Sequence, residues 1–116
     1  MRDLRPRTKD FALRIIRLYQ ALPKGDGVAQ VLGRQLLRSG TSVAAHYREP
    51  CRAKSNADFI TKLEGALQEL DETDLWLELL GDAGTIKSSR VQPLRNEVDE
   101  LIASFVTTTR KIKGRR

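Results

Sequence analysis

Between Phe59 and Leu80 the chain sets Phe59, Leu63, Ala66, Leu70, Thr73, Leu77 and Leu80 at intervals of three or four residues. Side chains return to one side of an α-helix at that interval. The stripe contains no proline and lasts for about six turns. Such a segment cannot sit as a strand, and it needs apolar partners along its whole length. Ser55-x-x-Asp58 precedes it in the manner of a capping box, with Asp in place of the longer Glu. Gly81 and Gly84 follow it as stop signals. A helix is expected over residues 55–81.

Three more segments keep the same period. Residues 10–22 carry Phe11, Ile15, Leu18 and Leu22, widened by Ala12, Ile16 and Tyr19, with Asp10 as the expected N-cap and Pro23 as the stop. Residues 26–49 carry Val28, Val31, Leu32, Gln35, Leu36, Ser39, Val43, Ala44 and Tyr47, with Asp26 as cap. Gly40 interrupts this run and costs about 1 kcal/mol relative to Ala, a cost that close approach of a second helix would offset. Pro50 lacks the N–H that would close on His46, so the helix should end or kink near Glu49. Residues 88–110 carry Leu94, Val98, Leu101, Ile102, Phe105 and Val106, with Ser88 or Ser89 as cap. Pro93 fits best in a first turn, which would move the regular start to about residue 92. No strand-like alternation and no repeat is present. The expected fold is all-α, an antiparallel up-down-up-down four-helix bundle. It forms a single domain over 1–116, with basic tails at 1–9 and 111–116 and no order expected from Lys113 onward. Trp76, Leu75 and Leu79 add apolar surface beside the Leu77 and Leu80 stripe, more than one core requires. A second buried face of that kind suits a homo-oligomer.

The net charge of +6 is unevenly placed. Arg2, Arg5, Arg7 and Lys9 stand against Asp3 alone, and residues 110–116 hold Arg110, Lys111, Lys113, Arg115 and Arg116 with no acid. Residues 10–109 have twelve basic against fourteen acidic side chains. In an up-down-up-down bundle both termini and the turn between the second and third helices share one pole. Arg48, Arg52 and Lys54 then join the tails, and only Lys24, Lys87 and Arg90 mark the other pole. A nucleic-acid contact is expected through Arg2, Arg5, Arg7, Arg110, Lys111, Lys113, Arg115 and Arg116, supported by Arg52 and Lys54. Phosphate neutralisation would make RNA or DNA binding steeply salt-dependent and poor in sequence preference. Other readings of the same charge are solvated, solubilising tails, an acidic protein partner and an anionic lipid surface. The single Cys51 permits no internal disulfide, and no apolar run is long enough to span a bilayer. The N-terminus has no apolar signal core. A cytoplasmic location is expected.

Chemistry-bearing residues are few. His46 and Glu49 stand one turn apart, as do Glu69 and Glu72. Bundle metal sites use such pairs, but the di-iron pattern needs two Glu-x-x-His motifs, and this chain has one reversed His-x-x-Glu and no second histidine. The competing reading is a polar network: Arg38, Ser42 and Glu49 facing Lys62, Glu69 and Glu72. Buried charges must be paired, so such a network would fix helix register or a subunit contact. Ser39 and Ser42 lack a nucleophile elbow. Cys51 sits among Arg48, Arg52 and Lys54, which favours a thiolate, although an incidental cysteine at a helix end is the simpler reading. No phosphate loop is present. Neither a catalytic residue nor a cofactor is expected. With so few aromatics, Trp76 and Tyr47 are read as core or contact residues rather than base-stacking platforms.

The run Gln35–Val43, then Tyr47, Arg48, Glu49, Arg52, Ala53 and Ser55, then Asp58, Phe59, Ile60, Lys62, Leu63, Glu69, Glu72, Thr73 and Trp76–Leu79 resembles the 23S rRNA intervening-sequence proteins. The likeness in order and spacing covers about half the chain. It implies a four-helix bundle assembled as a ring-shaped homopentamer, with no established biochemical activity. Some such proteins are encoded inside ribosomal RNA genes. A related group accompanies reverse transcriptases and is basic and nucleic-acid-associated. Two departures stand out: His46 occupies a position where Asn is common, and Pro50 one where Ala is common.

Overall fold

The computed structural model describes residues 4–48 and 54–114. They form four helices: α1 Leu4–Gln20, α2 Gly27–Arg48, α3 Asn56–Asp82 and α4 Ser88–Lys113. No strand occurs among the described residues. Consecutive helices pack extensively, while α1 and α4 touch more sparingly. All four feed one elongated core that includes Phe11 and Ile15, Leu36 and Val43, Leu63 and Leu70, and Val98 and Phe105. Burying each such side chain stabilises the fold by about 1.5–3 kcal/mol.

The helix ends follow local chemistry. Asp26 accepts the Ala29 N–H at 3.1 Å and starts α2. Ser55 accepts the Asp58 N–H at 3.1 Å, and Asp58 reaches back to the Lys54 N–H at 3.3 Å. The short Asp thus closes the box one residue earlier than a Glu would. At the far end of α3 only Gly84 takes a positive φ, 75°. There the Thr85 N–H turns back to the Leu80 carbonyl. Gly81 remains helical, and a Cβ on it would meet Val91 of α4 at 3.8 Å.

Three expectations are corrected. First, α1 begins at Leu4, so Asp10 is an exposed interior residue and not a cap. Pro6 falls in the first turn, where no N–H is required. Leu4 and Thr8 carry the buried stripe back from Phe11. Second, α4 begins at Ser88 with Lys87 as its cap residue and no side-chain cap bond. Exposed Pro93 is accommodated inside it. Third, α4 runs through Lys113 with Gly114 as its C-cap, because Thr108, Thr109 and Ile112 are buried and extend its apolar face. Much of both expected tails is therefore helix.

The buried face of α2 is also rotated from the expected one. It consists of Ala29, Gly33, Leu36, Ser39, Gly40, Val43 and Tyr47, whereas Val28 and Val31 stand 59% and 54% exposed. The glycines explain the rotation. A Cβ on Gly40 would lie 2.9 Å from two side-chain carbons of Ile15, and one on Gly33 would collide with Leu22 and press on Tyr19. Both glycines therefore face α1, and the residues in line with them go inward. Gly40→Ala should gain helix propensity yet lose about 1–2 kcal/mol, because fully buried, β-branched Ile15 cannot step aside. Gly27→Ala, with open space around its Cβ, should be neutral or stabilising. Urea denaturation of the two variants checks both signs.

Candidate nucleic-acid interface

The last turn of α4 presents Arg110, Lys111 and Lys113, all exposed. None has an acidic partner among the described residues. Lys54, just before α3, and Arg48, at the end of α2, are likewise exposed cations. Arg5 is exposed on the first turn of α1. Arg2, Arg52, Arg115 and Arg116 lie outside the described residues. Cations in a final turn also complement the negative end of the helix dipole, so Arg110, Lys111 and Lys113 stabilise α4 as they stand.

Arg7 does not belong with this group. It is mostly buried between helices and grips Glu97 of α4 with both edges, Nε to Oε2 at 2.9 Å and Nη2 to Oε1 at 2.7 Å. Glu100 accepts a third bond at 3.1 Å. A guanidinium committed to a bidentate pair has little left for a phosphate. The structure places Arg7 as a clamp between α1 and α4. Burial pushes the Glu97 carboxyl up, but the Arg7 hydrogen bond and the charges of Arg7 and Arg14 outweigh it, leaving the group below the usual carboxylate range. Arg7 is raised in turn, chiefly by its bond to Glu97.

The expected polar network is present in part. Arg38 bridges from α2 to α3, meeting Glu69 and Glu72 at 3.3 Å each. Ser42 donates to the Arg38 carbonyl at 2.7 Å on its own helix and does not cross. Lys62 is half-buried on α3, and Glu49 lies outside the described residues. The buried link between these helices is made by two residues whose spacing places them in the apolar stripes: Thr73 Oγ1 donates to Ser39 Oγ at 2.9 Å. The one Thr73 proton is shared between Ser39 Oγ and the Glu69 carbonyl at 2.7 Å, while Ser39 donates to the Leu36 carbonyl; such back-bonding lets a hydroxyl stand among apolar neighbours. A further clamp joins α4 to α3, where Arg95 meets Asp74 at 3.0 Å and Glu78 at 3.8 Å. Arg7–Glu97 and Arg95–Asp74 are separated by 90 and 21 residues, and no local spacing announces them.

Among the described residues no three His, Cys, Asp or Glu side chains gather as a metal site. His46 packs beside Gly65, whose Cβ position is 3.2 Å from its Nδ1. Glu69 and Glu72 are turned to Arg38. Cys51 and Pro50 lie outside the described residues. Tyr47 stacks on Phe105 with ring centroids 5.4 Å apart, inside the core. No described helix is long and apolar enough to cross a membrane.

The model of one protein family, the 23S rRNA-intervening sequence proteins, matches residues 3–106. The chain belongs to that family. The match spans all of α1 to α3 and α4 as far as Val106, stopping short of the basic end of α4. A crystal structure of a Bacteroides thetaiotaomicron protein of unknown function, from the S23 ribosomal protein family, is similar at 36% identity with a TM-score of 0.86. The likeness covers 92% of this chain and 98% of that one. No curated protein matches the chain.

A carboxyl with a lower pKa in the folded than in the unfolded chain stabilises the fold above its unfolded value, about 4.3 for Glu. That contribution disappears as pH falls through the folded value. Glu97→Gln should therefore lose about 1–2 kcal/mol at neutral pH and show a shallower fall in stability below about pH 4.5 than the unmodified chain. Thermal unfolding from pH 7 down to pH 2 measures both effects.

Proposed function

We propose that this family member is a non-enzymatic nucleic-acid-binding protein: an antiparallel up-down-up-down bundle, assembled as a homopentameric ring, that grips phosphate backbones through a basic pole. The observation that carries the binding reading is the unpaired basic end of α4, where Arg110, Lys111 and Lys113 project from an ordered helix rather than a loose tail. Arg5, Lys54 and, beyond the described residues, Arg2, Arg52, Arg115 and Arg116 complete the set. The family name ties the relatives to ribosomal RNA, and the Bacteroides relative is named for a ribosomal protein family. Support for the topology comes from the clamps. Arg38 meets Glu69 and Glu72, while His46, further along α2, meets Gly65, earlier on α3. On α1 and α4, Arg7 meets Glu97 and Glu100, whereas Leu18 shares a cleft with Arg90 and Leu94.

Support for assembly comes from α3. Leu75 and Leu79 are 46% and 37% exposed one turn apart. Beside them Trp76 Nε1 is buried and meets no acceptor among the described residues. On α2, exposed Val28 and Val31 stand about two turns before Arg38. Leu79 stands about two turns after Glu72, so Val31 and Leu79 come level in the proposed topology. In this reading the solvent-exposed ion pairs of Arg38 with Glu69 and Glu72 hold register beside that face. The competing reading, a structural ring that docks an acidic protein, uses the same cations, and nuclease treatment of a pull-down separates the two.

Removing residues 110–116 should weaken binding to a single-stranded oligonucleotide at least about tenfold. Its salt dependence should flatten by about 0.7 in log–log slope for each phosphate no longer neutralised. Fluorescence anisotropy across a salt series measures both, and equal binding by the shortened chain would remove the electrostatic reading. Leu75→Glu combined with Leu79→Glu should convert an oligomer to a folded monomer, read as mass by light scattering; an unchanged mass would place the interface elsewhere.

A further inference from the structure

Three arginines among the described residues join two helices, each with two carboxylates: Arg7 with Glu97 and Glu100, Arg38 with Glu69 and Glu72, Arg95 with Asp74 and Glu78. Against that pattern, one interhelical cleft gathers arginines and no acid. It lies between α1 and α4, has a volume of about 230 Å³ and is open to solvent. Arg14, Arg17 and Arg90 line it, with Leu18 and Leu94 as its apolar floor. None of the three arginines has an acidic partner among the described residues.

Local forces do not account for this arrangement. Arg14 and Arg17 are one turn apart on the same side of α1, where like charges repel. Arg90 is the third residue of α4, and Lys87 is its cap residue without a side-chain cap bond. Cations at a helix N-terminus oppose the dipole, whose positive end favours an anion. Glu97 feels Arg14 but gives both oxygens to Arg7, and Asp10, one turn before Arg14 on α1, makes no ion pair with it among the described residues. Three guanidinium groups line this open cleft, and a guanidinium's paired N–H donors match phosphate oxygens. The two leucines offer an apolar surface to whatever carries the phosphate.

We propose that the Arg14–Arg17–Arg90 cleft is an anion site that takes a phosphate group, separate from the basic end of α4. Arg90 and Arg110 are 20 residues apart on one helix, about 30 Å along its axis, so the charge of one site is screened at the other. The phosphate comes either from a nucleic-acid diester or from a small phosphate monoester, and the test separates them.

The full chain, labelled at leucine methyls, is titrated with a nucleoside monophosphate and, separately, with a short single-stranded oligonucleotide lacking terminal phosphate. The Leu18 and Leu94 signals should shift saturably with at least one probe, and the tighter probe identifies the source. Arg14→Gln/Arg17→Gln/Arg90→Gln should weaken that binding by about tenfold or more, and Arg90→Gln alone should weaken it less. Arg110→Gln/Lys111→Gln/Lys113→Gln removes the same charge and should leave it within about twofold, because distant charges are screened. No saturable shift with either probe, or equal weakening by both triple variants, overturns the proposal. Since the α4-end variant leaves this cleft intact, failure of the terminal grip and failure of the cleft are read separately.

Discussion

Gly33 and Gly40 stand seven residues apart on α2 and let α1 approach to a distance that a Cβ at either position would prevent. Much else depends on that contact. It decides which side of α2 faces inward, and so puts Ser39 where it meets Thr73 and leaves Val28 and Val31 outside. Seated at this depth, α1 lays Arg7 against Glu97 and brings Arg14, Arg17 and Leu18 beside Arg90 and Leu94. A glycine in mid-helix costs about 1 kcal/mol, and two are kept here because the side chains of Ile15, Leu22 and Tyr19 occupy the space a Cβ would need.

This dependence explains what could be read from the sequence. The α3 stripe was legible because Leu63, Ala66, Leu70, Thr73, Leu77 and Leu80 are all buried at the expected period. The caps at Asp26 and Ser55 were legible because capping is a local hydrogen bond between neighbours in sequence. The inward face of α2 was misread because glycine carries no hydropathy, so Val28 and Val31 outweighed Gly33 and Gly40 in the pattern. The ends of α1 and α4 look like tails in the sequence because charge outnumbers apolar residues there, although Leu4, Thr8, Thr109 and Ile112 continue the stripes.

The candidate site was legible in the same uneven way. Arg38 with Glu69 and Glu72 could be anticipated, since adjacent helices joined by a short turn bring those positions level. Arg7 could not be assigned, because its partner lies 90 residues away on α4. Sequence position alone grouped it with Arg5, whereas helical geometry separates them by more than half a turn and turns Arg7 toward α4. Net charge by segment shows where cations are plentiful. Only packing shows which of them are already neutralised.

The two groups of unpaired cations along α4 differ in what holds them there. Arg110, Lys111 and Lys113 sit at the negative end of the helix dipole, so their charge lowers the energy of the folded chain with no ligand bound. Arg90, with Lys87 before it, sits at the positive end and faces Arg14 and Arg17 across the cleft. Its charge raises the energy of the unliganded fold. The basic last turn of α4 therefore stabilises its own helix while its charges stay open to solvent. The arginine cleft has no such stabilisation from its own helix end, and a bound anion would add an attraction to each guanidinium that offsets their mutual repulsion.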